Sequence, residues 1–192
     1  EREEQNAMEL VFNRKDEIGI DRDSKHDIHL IPAKEAIVFD GEVAVSQIQS
    51  SSPTYIGFDV EIIGRAAHTG AEPEKDISAI KIAAEILTRL PQGSLDEHTP
   101  FNVGLLEGGS VRNTVEDNAT IKGEDKHTSL DNLTRSRLQI QEIVKEVANL
   151  YPESSIDQHL HTEFETYSLT EDDPATQRVS RALRSIGLVP LL

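Results

Sequence analysis

Residues 55–90 read YIGFDVEIIGRAAHTGAEPEKDISAIKIAAEILTRL, and this stretch decides the fold. The regular apolar pattern of Tyr55–Gly64 predicts a strand. From Ile77 to Leu90 the apolar residues recur at a spacing of three and four, which predicts a helix with Asp76 as its N-cap. The polar turn between the two elements contains one histidine, His68. On position alone, His68 is either a solvated surface residue or a functional group presented by a loop.

The chain downstream of this stretch continues the same pattern with three more strands and a second helix. The strands are predicted at Phe101–Leu106, Ala119–Glu124 and Ser155–Tyr167, and the helix at Leu130–Leu150, preceded by an incomplete capping box of Thr128 and Asp131. The order is therefore βαββαβ, the split βαβ or ferredoxin-like arrangement. It places two helices on one face of a four-stranded antiparallel sheet. The predicted fold class is mixed α/β (α+β).

Segments 1–53 and 169–192 flank this unit, which we predict to span 54–168. The small, polar, proline-terminated stretch Ser50–Pro53 is the best boundary signal. Neither flank completes a domain by itself, so we predict that the two join into a partial α/β domain that carries the unit as an insertion. The upstream flank includes an apolar run, Ala36–Phe39, that predicts a short buried strand.

The composition limits the possible functions. The chain has 192 residues, a formal net charge of −16, 28% charged residues and no cysteine. The negative charge argues against a nucleic-acid surface and against binding to an anionic membrane. No apolar run approaches the roughly 20 residues that cross a bilayer, and the missing cysteines exclude disulfides and thiolate metal sites. We expect a cytoplasmic protein. Because the chain begins without Met and stops without a capping signal, we also expect a fragment.

Three carboxylates follow the short apolar runs of the upstream flank. Asp16 and Glu17 are adjacent, and Asp40 closes the next run. The carboxyl ends of strands in open α/β sheets collect ligands and metals, and zinc accepts carboxylate oxygen. Adjacent acids can divide metal binding and proton transfer between them. The alternative is that these residues only terminate strands and start turns.

A series of short motifs runs in order along nearly the whole chain. They are Leu10–Phe12, Asp16–Gly19, Phe39–Gly41, Gly64–Gly70, Pro73–Glu74, Ser78–Ile80, Asn102–Gly104, Glu107–Gly109, Arg112–Val115 and Gly123–Glu124. In this order they resemble the di-zinc metallopeptidases that include aminoacylases, glutamate carboxypeptidases and peptidase T, most of all the peptidase T-like tripeptidase branch. The resemblance implies that the inserted unit is a lid, or dimerisation, domain in an incomplete zinc-peptidase catalytic domain.

The resemblance also implies roles for individual residues of the reaction centre. Asp16 stands at the position of the general base, although the family has glutamate there. Glu17 and Asp40 match two of the ligands that hold two zinc ions. His68 matches the histidine that reaches the partner subunit's active site and stabilises the oxyanion. The family's other three metal ligands have no counterpart here, so we expect this chain alone to be inactive.

Three further positions match groups that face the substrate. Asn102 and Asn113 match polar positions of the lid. Lys126 falls where the family has an arginine that binds the substrate carboxylate, and lysine keeps the charge but loses the bidentate fork.

The sequence leaves two functions open. The first is a portion of a zinc-dependent, tripeptidase-like aminopeptidase that hydrolyses short peptides by metal-activated water and forms a homodimer through its lid. The alternative is a non-catalytic dimerisation or binding module without a complete metal site.

Overall fold

The computed structural model describes residues 10, 35–39, 43–66, 76–94 and 100–192. Their elements, in chain order, are β1 (Ser51–Ser52), β2 (Thr54–Ile63), α1 (Ala79–Arg89), β3 (Gly93–Ser94), β4 (Pro100–Gly108), β5 (Asn118–His127), α2 (Leu130–Leu150), β6 (Ser155–Phe164), β7 (Tyr167–Ser168) and α3 (Pro174–Ser185). The chain divides into two compact units, one of Ser51–Ser168 and one of Glu1–Ser50 with Leu169–Leu192. The assignment of the second unit to a catalytic domain stays a prediction.

The Ser51–Ser168 unit contains an antiparallel sheet in the strand order β3-β4-β5-β2-β6. Its four long strands and two helices confirm the predicted βαββαβ order and the mixed α/β class. β3, which the apolar pattern does not predict, adds a two-residue fifth strand at one edge. It forms because Gly93, at φ +87°, turns the chain after α1 so that Gly93 pairs with Phe101 and Ser94 with Pro100.

The core lies between one face of the sheet and the two helices. Alternate residues of β2 enter it, because successive side chains of a strand point to opposite faces. The fully buried members include Ile56, Phe58, Val60 and Ile62 from β2, Ile82, Ala83 and Ile86 from α1, and Ile140 and Val147 from α2. Burial of each large apolar side chain contributes about 1.5–3 kcal/mol. This shared core places both helices on the same face of the sheet.

Helix α1 begins at Ala79, two residues after the predicted start at Ile77. Arg65 and Ile77 form a two-way backbone bridge, with N–O distances of 2.9 and 3.1 Å, which keeps the chain extended there. The side chain of Ser78 then accepts a hydrogen bond from the backbone N–H of Lys81 at 3.2 Å. Ser78 is therefore the N-cap, and the prediction of Asp76 was wrong.

Helix α2 has the predicted bounds but not the predicted cap. Its N-cap residue is Ser129, which makes no side-chain cap hydrogen bond. Thr128 lies outside the cap position, so the incomplete capping box predicted with Asp131 is not formed. The helix depends instead on the apolar stripe that packs on the sheet.

The last predicted strand is divided in two. β6 ends at Phe164, and β7 pairs with β1 rather than with the main sheet. Between β6 and β7, Thr166 donates its backbone N–H to Thr54 Oγ1 at 3.0 Å and its hydroxyl to the carbonyl of Ser52 at 2.7 Å. These bonds turn the chain out of the sheet and hold the two ends of the unit together.

The other unit contains α3, which begins at Pro174. Asp173 is its N-cap residue, and Oδ2 of Asp173 accepts hydrogen bonds from the backbone and the hydroxyl of Thr170. The predicted buried strand at Ala36–Phe39 is not formed. These residues have no strand pairing among the described part of the chain, and the side chain of Phe39 is 94% exposed. An apolar run alone does not make a strand without a partner for its backbone.

A buried polar cluster joins β5 to α2. Asp125 is fully buried, and its Oδ2 lies 2.6 Å from Nε2 of His127 and accepts the hydroxyl of Ser136. His127 and Ser136 are also buried. A buried carboxylate is costly unless it is hydrogen-bonded, so these three side chains depend on one another.

We expect Asp125→Ala to lower the free energy of unfolding by about 3–5 kcal/mol, because His127 and Ser136 would stay buried without their shared acceptor. Urea unfolding followed by circular dichroism measures the loss. Lys122→Ala, an exposed change on the same strand, should stay within about 0.5 kcal/mol of the wild type. Equal stability of the two variants would contradict the role of the cluster.

We also expect Gly123→Ala to destabilise the sheet by about 1–3 kcal/mol, because there is no room for a methyl group. A Cβ at this position would clash with the ring of Phe58 and lie 2.6 Å from the carbonyl oxygen of Asn102. The matched control is Gly104→Ala on the neighbouring strand, where the nearest atom is Nδ2 of Asn102 at 3.5 Å. Thermal unfolding should show a lower Tm for Gly123→Ala only.

Candidate functional site

The described residues include three of the seven predicted site residues. These are Asn102, Asn113 and Lys126, whereas Asp16, Glu17, Asp40 and His68 lie outside the described residues. The roles of the latter four stay predictions.

Asn102 and Lys126 lie on one face of the sheet, opposite the helices. Asp125 and His127 point toward α2, so Glu124 and Lys126, which alternate with them on β5, point away. Asn102 is the cross-strand partner of Glu124. On the same face, Tyr55 is the cross-strand partner of Lys126, and Gly57 pairs with Glu124 on one side and with His161 on the other. We call this surface the open face and define it by Tyr55, Asn102, Glu124, Lys126 and His161. The sheet register thus brings two predicted substrate-binding residues together.

Asn113 does not lie on the open face. It is exposed and belongs to the loop between β4 and β5, not to a strand of the open face. Its predicted contact with substrate stays a prediction.

The ammonium group of Lys126 is held by two neighbours. Its Nζ lies 3.5 Å from Oε1 of Glu124 and 5.1 Å from the ring centroid of Tyr55. The Tyr55 hydroxyl donates to the other oxygen of Glu124, Oε2, at 2.7 Å. Each of the three side chains therefore contacts the other two.

The Tyr55 hydroxyl stays a hydrogen-bond donor over the whole neutral range. Burial, the hydrogen bond to Glu124 and the negative charges of Glu124 and Glu163 all raise the pKa of this hydroxyl above its ordinary value of 10.0. The phenolate is disfavoured because it would be desolvated beside two carboxylates. The bond from Tyr55 to Glu124 is therefore a fixed feature of the open face.

His161 lies on the edge strand β6, at one end of the open face. Its Nε2 lies 2.6 Å from Oε1 of Glu163, and its ring stacks on His159 with centroids 5.4 Å apart. The ring fits because Gly57 has no side chain, and a Cβ there would meet the imidazole. Neither the motifs nor the family resemblance predicted a role for Tyr55, Glu124 or His161.

No group of three or more His, Asp or Glu side chains within the described ranges could hold a metal ion. The predicted ligands Glu17 and Asp40 lie outside those ranges. The described residues therefore do not fit a zinc centre by themselves, and no catalytic step through zinc follows from them. In the same part of the chain, no helix is both long and apolar enough to cross a membrane.

Comparison with known proteins identifies the family. The sequence profile of the peptidase dimerisation domain, M20_dimer, matches residues 51–152, which is just over half of the chain. The chain belongs to this family. The match falls on the unit that carries the open face and confirms the predicted resemblance to a dimerisation domain.

Curated relatives of this M20 dimerisation-domain chain include peptidases. Peptidase T of Clostridium novyi is 24% identical over 191 residues, which is 96% of this chain and 45% of that protein. The uncharacterised protein YqjE of Bacillus subtilis is 35% identical over 121 residues, or 63% of this chain and 33% of that protein. The chain thus spans less than half of the length of these relatives.

Solved structures show the same fold. The aminopeptidase PepT of Bacillus cereus aligns with a TM-score of 0.67 and 28% identity, over 80% of this chain and 41% of that one. A tripeptidase of Staphylococcus aureus aligns with a TM-score of 0.66 and 22% identity, over 79% and 41%. These alignments confirm the peptidase T-like resemblance of the fold.

Proposed function

We propose that this chain is a portion of a zinc-dependent, tripeptidase-like aminopeptidase that hydrolyses short peptides. The observation that carries the proposal is the placement of Asn102 and Lys126 on adjacent strands of the open face, in a unit of the M20 family. Relatives named peptidase T align over nearly the whole chain and support it.

The chain's own groups would bind and orient the substrate. The ammonium of Lys126 would bind the carboxylate of a short peptide, and the side-chain amide of Asn102 would hydrogen-bond to its backbone. In this proposal Asn113 also faces the peptide from the loop after β4.

The reaction centre of the proposal rests on residues outside the described ranges. Asp16 would take a proton from the attacking water, and His68 would stabilise the oxyanion in a partner subunit. Glu17 and Asp40 would each supply a carboxylate to the metal. Bound zinc supplies Lewis acidity and a water of lowered pKa in sites of this type. A cytoplasmic location is part of the same proposal.

The homodimer of the proposal would use an apolar surface beside the edge of the sheet. Ile80 is 43% exposed on α1, and with the exposed Ala84 and the half-buried Leu87 it forms a stripe at the spacing of i, i+4 and i+7. Leu106 of β4 is 48% exposed. We call these four side chains the α1–β4 patch.

The backbone of β4 adds a second feature to this surface. Within the described residues, β3 pairs only with Pro100 and Phe101, so 102–108 presents an outer edge without a partner strand. A strand edge beside apolar side chains fits a second copy of the same chain, because a two-fold axis can pair identical edges.

A non-catalytic dimerisation or binding module is the second candidate function. The match to a dimerisation domain favours it. The two candidates differ when a relative supplies the remaining ligands, because only a portion of a peptidase would then complete a metal site and retain zinc.

A chimera tests the peptidase function. The whole chain would replace the aligned segment of peptidase T of Clostridium novyi, which would supply the remaining ligands. We expect the chimera to retain zinc and hydrolyse tripeptides, with Asp16→Glu increasing the rate because it moves the base closer to the water. A folded, zinc-loaded chimera that is inactive both with and without Asp16→Glu would overturn the proposal.

In the active chimera, Lys126→Met should raise the KM for tripeptides about 10- to 100-fold, since it removes a charge-assisted contact to the carboxylate. Tripeptide amides should show no such change. Lys122→Met is the matched control on the same strand and face. An equal effect of the two substitutions on KM would contradict the assignment of Lys126.

A change in the α1–β4 patch tests the homodimer. Ile80→Glu should shift the chain from dimer to monomer in sedimentation, because it places a charge in an apolar contact. Leu138→Glu, at a 59% exposed position of α2 outside the patch, should leave the dimer intact. A wild-type chain that sediments as a monomer at high concentration would contradict the interface.

A further inference from the structure

We propose that Tyr55 and Glu124 are positioning residues that hold the ammonium of Lys126 at the substrate-binding place on the open face. The inference rests on the proposed function for the identity of the ligand, a peptide carboxylate. The positioning of Lys126 by Tyr55 and Glu124 rests on the structure alone.

A lysine at this place needs positioning more than an arginine does. The ammonium is a point charge at the end of a flexible four-carbon stem, whereas a guanidinium carries a rigid fork of donors. The side chain of Lys126 is 35% exposed, and so is that of Glu124. An isolated ion pair of this exposure is weak, because water and salt screen it. One contact to Glu124 would therefore not fix the ammonium.

The structure supplies a second and a third contact. The ring of Tyr55 lies beneath the ammonium, within the distance at which the face of an aromatic ring attracts a cation. The Tyr55 hydroxyl binds Oε2 of Glu124 and so directs Oε1 toward Lys126. The three contacts form a closed triangle in which a move of any one member breaks two of them.

The ring of Tyr55 is itself fixed from the other side. Phe164 of β6 meets it in an edge-to-face contact, with centroids 5.4 Å apart and planes at 70°. The cross-strand pairs Tyr55–Lys126 and Tyr55–Phe164 place the ring on the central strand between the two neighbours. The position of Lys126 is thus tied to the rigid sheet.

The triangle leaves the ammonium able to bind a ligand. An ammonium has three N–H donors, and Glu124 needs only one of them. Oε2 of Glu124 is already occupied by Tyr55. Glu124 is also the cross-strand partner of Asn102, so the held ammonium and the Asn102 amide lie on neighbouring strands. A carboxylate can approach both from the exposed side.

Nuclear magnetic resonance of the whole chain, labelled with 13C at the lysine ε-carbon, tests this positioning. The ring current of Tyr55 should move the ε-proton signal of Lys126 upfield of that of Lys122, whose ammonium instead lies 3.8 Å from Oδ2 of Asp59. Tyr55→Phe keeps the ring but removes the hydroxyl, and should shift the Lys126 signal toward the Lys122 position. Tyr151→Phe, which removes a hydroxyl from another tyrosine, should not.

Glu124→Gln provides an independent variant if Tyr55→Phe lowers stability. It should also move the Lys126 signal toward the Lys122 position, whereas Glu107→Gln on the same face should leave it unchanged. Core methyl signals next to Phe58 report that each variant is folded. If the Lys126 signal keeps its upfield position in both folded variants, the lysine stem alone sets the position and the inference is overturned.

Peptide titration separates this inference from the proposed function. A tripeptide should move the Lys126 signal of the wild-type chain, and its C-terminal amide should not. If neither peptide moves it while Tyr55→Phe and Glu124→Gln do, the positioning is supported and the carboxylate contact of the proposed function fails. If both variants lack an effect, the positioning fails whatever the peptides do.

Discussion

The pairing of β2 with a strand on each side is the constraint on which the rest of this unit depends. β5 pairs with all of Thr54–Ile63, and β6 pairs with Tyr55–Ile63, so nearly every residue of the central strand has a partner on both sides. This fixed register decides which side chains share a row. One row places Asn102, Glu124, Gly57 and His161 across four strands. The next row places Lys126, Tyr55 and Phe164 together. The contacts among Tyr55, Glu124 and Lys126 follow from these two neighbouring rows.

The C-terminal half of β5 serves the core and the open face at the same time. On one side Asp125 binds both His127 and Ser136 of α2, whereas on the other side Glu124 and Lys126 contact Tyr55. Because the two sets alternate along one backbone, a shift of the strand by one residue would exchange them. A buried carboxylate and an exposed ammonium cannot exchange places without a large cost, so the polar cluster in the core also fixes the register of the site.

The sequence predicted those parts of the fold that local periodicity determines. The patterns of Tyr55–Gly64 and Leu130–Leu150 identified the central strand and the long helix, because each pattern repeats over many residues. The prediction of Asp76 as a cap failed because a backbone bridge between Arg65 and Ile77 keeps the chain extended. Asn102 and Lys126 were recognised from the resemblance. Tyr55 was missed because it meets Glu124 from 69 residues away, through a register that local spacing does not contain.

The β1–β7 pair has a consequence for how such a unit can be gained or lost. Ser51 pairs with Ser168 and Ser52 with Tyr167, so the chain enters and leaves the unit at one place. The two ends of the unit are neighbours, so a host chain need only span the distance between two paired strands, about 5 Å, at the point of insertion. The unit can therefore be inserted into different host chains as one piece, with little strain at either junction.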